Sequence, residues 1–427
     1  MGFKEAIKSL SFLWAGSLIG SGSTFLIYLI LAREIGPAMY GLFSSALATI
    51  MILSLLAGFG IPQVWLKFFG KEGWDAIRWI KPSLQFVGLT LIFITGLVLL
   101  LAWIQQNDKF TGNLLLLLIF FVSGYISVQL VSAKLQLEER YTLLSLWQLL
   151  PNFSRLLVVV ICFYVLQLEL NVIDIGIIYS TIGISLTLIA LWELYKLVLG
   201  KIRLVGHKKP TNNATDIPKI REVIREAWPF GFAGIFAFIY IQSDIIMLKY
   251  LISDSEAGYY NVAFTILFAI MTIPTVIFSR YLSPKYHRWA HHDKDKFFQT
   301  FNRGNRIMVI SGIGICLGVV VLSSYFIPLL FGDQYRPSVV MTDILAITIP
   351  FTFLAYSYGA TLLTSEHMKL KVRLMGMVAV FNIVLNIILI NGYGAIGAAI
   401  STVLSNVLLM LLYRHFTWKK VFDKNMA

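Results

Sequence analysis

The sequence predicts an all-α polytopic membrane protein, with about 12 transmembrane helices in two six-helix halves around a central cavity. Three observations carry that expectation. Long apolar stretches recur along the whole chain, basic residues concentrate in every other segment between them, and one long polar break divides the stretches into two equal sets. A mean hydropathy of +0.77 with only 13% charged residues lies outside the usual soluble range. The length therefore goes into membrane helices and not into several water-soluble domains.

The expected spans fall at residues 10–32, 41–62, 83–104, 113–133, 146–166 and 173–194, then at 226–248, 259–279, 307–330, 340–362, 374–390 and 394–413. Most are near the roughly 20 residues that cross a hydrocarbon core. The first is too long for the apolar region of a cleavable signal and a second follows almost at once, so it is expected to act as its own signal-anchor. Gly36-Pro37 after the first span and Gly392-Tyr393-Gly394 before the last mark short outer hairpins, which leave no room for a folded extracellular domain. From about Tyr195 to Arg225 the chain is polar and basic, with Gly200, Gly206, Pro210 and Pro218 as punctuation. The expected organisation is an N-terminal six-helix bundle over 1–200, a basic linker over 201–225 and a C-terminal six-helix bundle over 226–427.

With the N-terminus in the cytoplasm, 30 of the 35 Lys and Arg residues lie in inner segments. Arg33, Lys109, Lys249 and Arg336 lie in outer loops, and Arg155 falls within a span. Both termini and the linker are thus expected on the cytoplasmic side. The formal charge of +13 becomes a property of the inner membrane face, where nucleic-acid binding is the poorer explanation. Cys162 and Cys316 are isolated inside expected helices and offer neither metal-ligand spacing nor a disulfide framework. Asn213-Ala214-Thr215 matches the glycosylation pattern, but on the inner side the match is accidental.

The halves share traces of one design. Tyr40-Gly41-Leu42-Phe43-Ser44-Ser45-Ala46 aligns with Ala257-Gly258-Tyr259-Tyr260-Asn261-Val262-Ala263 at the second helix of each half. At the sixth, Ile175-Gly176-Ile177-Ile178-Tyr179-Ser180-Thr181 aligns with Ile396-Gly397-Ala398-Ala399-Ile400-Ser401-Thr402, sharing Ile, Gly, Ser and Thr. An even number of spans per half gives both the same orientation, a parallel repeat about an axis along the membrane normal.

A charge within a span is costly and calls for a reason. Gln148, Asn152 and Arg155 fall at i, i+4 and i+7, which stacks them on one helical face that can point at a wet cavity. Pro151 among them frees backbone groups that such a cavity can satisfy. The alternative is that Arg155 snorkels to a surface or pairs with an acid for packing. Asp244 sits in the seventh span with Tyr240, Ser243 and Met247 on its face. Its roles are ion coupling by a bound cation or proton, pairing with Arg155, or a structural ion pair. Asn382 and Asn386, at i and i+4, are either helix glue or contacts to a polar ligand. Ser17, Ser21, Thr24 and Tyr28 form a polar stripe on the first span that reads as helix packing.

Catalytic patterns are missing. Gly70-Lys71 and Gly200-Lys201 are followed by Glu72 and Ile202, so no phosphate loop is formed. His287, His291 and His292 beside Asp293 and Asp295 read as a solvated charged loop rather than a metal site. No enzyme activity, cofactor or metal is expected.

The segment Arg33-Glu34-Ile35-Gly36-Pro37-Ala38-Met39-Tyr40-Gly41-Leu42 resembles the turn after the first helix in polysaccharide flippases of the Wzx type. These belong to the multidrug, oligosaccharidyl-lipid and polysaccharide exporter superfamily. Asp244, Glu256-Ala257-Gly258-Tyr259-Tyr260-Asn261-Val262-Ala263, Asn386 and Tyr393-Gly394-Ala395-Ile396-Gly397-Ala398-Ala399 resemble its seventh, eighth and late helices. The resemblance implies a flippase that turns an undecaprenyl-diphosphate-linked oligosaccharide repeat unit from the cytoplasmic to the outer leaflet of a bacterial plasma membrane, in O-antigen or related surface polysaccharide synthesis. Its implied partners are that substrate, membrane lipids, and a polysaccharide polymerase with a chain-length regulator. A diphosphate head needs guanidinium or ammonium partners, which makes Arg155 and, nearer the outer mouth, Arg33 the cationic candidates for substrate binding. Gln148, Asn152, Asn382 and Asn386 complete the candidate cavity set. Two other classes stay open: a cation-coupled drug exporter of the same superfamily, and a membrane-embedded glycan polymerase or ligase, for which a sizeable outer loop would be expected.

Overall fold

A computed structural model describes residues 3–106, 108–204, 216–275, 294–364 and 367–422. Asn213-Ala214-Thr215, the three loop histidines and Asp293 lie outside them. The described residues form helices and no strand. In order they are α1 (Phe3–Gly58), α2 (Ile61–Glu72), α3 (Ile80–Ile104), α4 (Lys109–Leu137), α5 (Tyr141–Val160), α6 (Val172–Val198), α7 (Ile220–Leu251), α8 (Asp254–Thr275), α9 (Lys294–Phe331), α10 (Ser338–Ala346), α11 (Thr348–Thr364) and α12 (Met368–Thr417). Short 3-10 turns cover Gly73–Trp79 and Asp333–Tyr335, and single π turns cover Ile161–Val165 and Trp418–Phe422.

Among the described residues, seven helical stretches are long and apolar enough to cross a membrane, and the bent pair α10 and α11 makes an eighth candidate. Two of the long helices are interrupted where the sequence signals a hairpin. Gly36 breaks α1 at φ 76 and Gly394 breaks α12 at φ 56, backbone conformations that glycine adopts without the penalty a Cβ would bring. The 42° bend between α10 and α11 falls within the expected span 340–362. Large apolar side chains cover the outside: Ile92, Ile310 and Val321 are each 72% exposed, as suits contact with acyl chains and not with water.

Polar caps fix several helix starts. Asp108 accepts from the Thr111 N–H at 3.2 Å and opens α4. Asn171 accepts from the N–H groups of Ile173 and Asp174 while Asp174 accepts from the Asn171 N–H, a reciprocal box that opens α6.

The chain divides into two compact units, Met1–Ile27 with Ala46–Ile235, and Tyr28–Ser45 with Phe236–Ala427. In the first unit α4 and α6 pack closely: a Cβ on Gly183 would lie 2.4 Å from the Phe120 carbonyl oxygen. Ser180 ties the same pair by donating to the Leu117 carbonyl at 2.6 Å. In the second unit the Gly36 turn is held by Tyr335, whose hydroxyl donates to the Ala32 carbonyl at 2.8 Å. Asn261 donates to the hydroxyls of Tyr40 and Ser44 at 2.9 and 2.7 Å. The aromatic core of this unit gathers Phe297, Phe301, Tyr358, Tyr413 and Phe422.

Candidate functional site

In the second unit, three of the sequence-predicted residues meet. Asp244 on α7 is 1% exposed and accepts from the Asn386 amide on α12, the Thr402 hydroxyl beyond the Gly394 break, and the Tyr260 hydroxyl on α8, each at 2.5 Å. The Tyr260 and Thr402 hydroxyls are 2.9 Å apart. Asn386 also donates to the Asn382 side-chain oxygen at 3.1 Å, which accepts in turn from Ser243 at 3.1 Å. Ser401 donates to the Asn382 carbonyl at 3.2 Å. A carboxylate is thus enclosed by two hydroxyls and an amide from α8 and α12, and no cation reaches it among the described residues of its unit. A buried charge satisfied only by neutral dipoles is the costly kind.

The Oδ1 atom of Asn386 is buried without a hydrogen-bond partner among the described residues. An unused acceptor beside a carboxylate, within a shell of neutral oxygens, can hold a monovalent cation or exchange a proton. No group of three or more His, Cys, Asp or Glu side chains able to hold a metal ion occurs among the described residues.

This cage is one-sided. By the alignment of the two halves, Tyr260 corresponds to Phe43 and Asn261 to Ser44, while Thr402 has its counterpart in Thr181. Thr181 is exposed and donates to its own helix at the Ile177 carbonyl.

In the first unit, Arg155 is buried on α5 and its Cζ lies 4.9 Å from the Phe121 ring centroid and 4.6 Å from that of Tyr179. The close approach of α4 and α6 sets those rings 6.1 Å apart and nearly parallel. A desolvated guanidinium on two ring faces is held by their quadrupoles, at about 2 kcal/mol or more. Nη1 donates to the Asn152 side-chain oxygen at 3.3 Å. Gln148 is exposed on the same helix, and Arg33 is exposed at the Gly36 turn, where its carbonyl accepts from Gln334 at 3.3 Å. The structure therefore gathers Asp244, Asn382 and Asn386, keeps Gln148, Asn152 and Arg155 along one helix, and places Arg33 at the Gly36 turn.

Sequence reasoning placed Ser243 on the face of Asp244 but missed Tyr260, Thr402 and Ser401 as neighbours of the carboxylate. Tyr260 and Thr402 lay inside the segments that aligned between the halves, and that was the available signal. It also missed Lys134, counted in an inner connection. Lys134 is 2% exposed and donates to Glu193 at 2.5 Å, and Lys196 donates to the other oxygen of that carboxylate at 2.7 Å.

Long apolar helices, an apolar exterior and buried polar clusters define an all-α polytopic membrane protein of a transporter fold. Solved structures agree at the level of the fold. The chain superposes on the lipid II flippase MurJ in an inward closed conformation with a TM-score of 0.72 at 14% identity, over 96% of this chain and 87% of that one. An inward-facing MATE family multidrug resistance transporter of the MOP superfamily gives a TM-score of 0.73 at 12% identity, over 96% of each chain.

The chain belongs to the polysaccharide biosynthesis protein family, whose model matches residues 6–286. The probable low-salt glycan biosynthesis flippase Agl15 of Haloferax volcanii is 22% identical over 95% of this chain and 82% of its own length. The capsular polysaccharide biosynthesis protein CapF of Staphylococcus aureus is 22% identical over 97% of this chain and 100% of its own. Relatives and fold are those of flippases and transporters, not of enzymes.

Proposed function

We propose that this protein is a flippase that carries undecaprenyl-diphosphate-linked oligosaccharide repeat units from the cytoplasmic to the outer leaflet of a bacterial plasma membrane, for O-antigen or a related surface polysaccharide. Membership of the polysaccharide biosynthesis family over residues 6–286 carries this reading. It is supported by relatives named for glycan flipping and capsule synthesis and by the fold shared with the lipid II flippase. In this proposal residues 1–200 and 226–427 form two six-helix bundles joined by the basic linker 201–225, both termini are cytoplasmic, and the partners are a polymerase and a chain-length regulator.

Arg155 serves as the cation for the diphosphate, with Gln148 and Asn152 on its helix face, and Arg33 meets the substrate nearer the outer side. Asp244 couples the cycle to a monovalent cation or proton, with Asn382 and Asn386 setting its partners. No phosphate loop is present in the sequence, so the driving force is the membrane potential and an ion gradient. Moving one charge through 100 mV is worth about 2.3 kcal/mol, and a diphosphate carries up to two. That gain holds only where the charge of Arg155 does not travel with the head group.

A cation-coupled drug exporter is the second reading, favoured by the equal fit to a multidrug transporter. Transport assays with a lipid-linked oligosaccharide against amphipathic cations separate the two. Accumulation of the lipid-linked oligosaccharide on the inner leaflet after loss of the protein supports the flippase. Unchanged lipid-linked pools together with lost cation efflux refute it.

A further inference from the structure

The outer end of the second unit holds a cavity of about 470 Å³, within the size range of small-molecule sites. Three connections that the charge pattern assigns to the outer side converge on it: Ile252 and Glu256 from the turn between α7 and α8, Val340 and Met341 from the start of α10, and Asn391 and Tyr393 from the break in α12. No Lys, Arg or His lines it, so it does not suit the phosphate of a lipid headgroup. Its polar groups are a carboxylate, an amide and a phenol. Glu256 Oε2 accepts from the Ala395 N–H at 3.1 Å, which fixes the carboxylate. The Tyr393 ring is 67% exposed, a flat apolar face with a polar tip.

A fixed hydrogen-bond acceptor, an amide and an open aromatic face around a hollow lined by no cationic side chain match the chemistry of a sugar ring, with hydroxyls around its edge and C–H groups on its face. We propose that this cavity is an outer-side binding site for uncharged sugar residues of the exported glycan, distinct from the buried Asp244 cage. The inference rests on the flippase reading and deepens it. Sugars that settle here as they emerge would hold the substrate at the outer side and oppose its return.

The test uses the full-length protein in its own cells, with a photo-crosslinking amino acid at Val340, which is half-exposed, and a control at the lipid-facing Ile310. Mass spectrometry of the adducts is expected to show a glycan-bearing lipid at Val340 and ordinary phospholipid at Ile310. Y393A and E256Q are expected to lower the yield of that adduct about fivefold each, as for one lost ring-stacking contact and one weakened hydrogen bond. E256Q keeps an oxygen for the Ala395 N–H, and Tyr393 is exposed, so both variants should fold. Phospholipid alone at Val340, or adduct yields unchanged by both variants, overturns the inference. A strain lacking the protein makes its failure distinguishable from failure of the flippase reading. If surface glycan still depends on the protein while Val340 captures only phospholipid, the cavity proposal falls alone. If surface glycan is normal without the protein, the underlying reading falls.

Discussion

Tyr260 on α8 donates its hydroxyl to Asp244 on α7 at 2.5 Å, with both side chains buried, and this bond joins two helices around a carboxylate that no described cation of its unit neutralises. Such a group is expensive in a membrane interior, which is why we propose that its charge state has a use.

Asp244→Asn is the direct probe of that use. The amide keeps the size of the side chain but removes the charge, and export is expected to fall at least about tenfold, since hydrogen bonds to a charged group are worth about 1.5–3 kcal/mol. Membrane abundance should stay near that of the unaltered protein. Thr402→Val, which removes one donor and leaves the carboxylate, should give a smaller loss. Normal surface glycan in the Asp244→Asn strain would return the residue to a packing role.

Arg155 makes a second prediction because its charge sits on the faces of Phe121 and Tyr179. Arg155→Ala should abolish export, and Arg155→Lys should restore it only in part, since a point charge cannot reproduce a planar fork lying on two rings. Full rescue by lysine would show that only the charge matters.

The close contact of α1 and α8 in the second unit predicts a stability effect independent of transport. A Cβ on Gly258 would lie 2.1 Å from the Pro37 carbonyl oxygen, and one on Gly41 would lie 1.8 Å from that of Asp254. Gly258→Ala must force the two backbones apart, at about 1–3 kcal/mol for an overpacked contact. Thermal unfolding in detergent should show a lower midpoint, whereas Gly314→Ala, with nothing within 4 Å, should leave it nearly unchanged. Equal midpoints for both variants would refute the close packing.

Sidedness is tested by cysteines at Arg336 and Lys201. An impermeant maleimide added to intact cells should label the first and spare the second, as the distribution of basic residues requires. Labelling of Lys201→Cys from outside would invert or break the topology.

Much of this fold was legible because the bilayer imposes simple rules. Apolar runs marked the helices, and the glycines at 36 and 394 fell where the helices break. Less visible was α2, counted among inner-loop residues, whose Val64, Trp65, Phe68 and Phe69 bury one face, with Trp79 stacked on Phe68 at 3.8 Å. A helix of 12 residues beside longer apolar spans gives too short a periodic signal to stand out. At the site, Asp244, Asn382 and Asn386 were visible as polar atoms in apolar helices. Tyr260 and Thr402 were not, because a hydroxyl in a helix more often bonds its own backbone, as Thr181 does, and only the tertiary fold turns it toward the carboxylate.

Flipping in proteoliposomes tests the central claim most directly. The purified protein is reconstituted with a lipid-linked oligosaccharide, and initial rates are measured with and without an imposed potential, pH gradient or sodium gradient, for the unaltered protein and for Asp244→Asn. The account predicts that the unaltered protein moves the glycan lipid faster under potential or an ion gradient, and that Asp244→Asn loses that response. Equal rates under every condition, identical in both proteins, would contradict it and leave a passive scramblase.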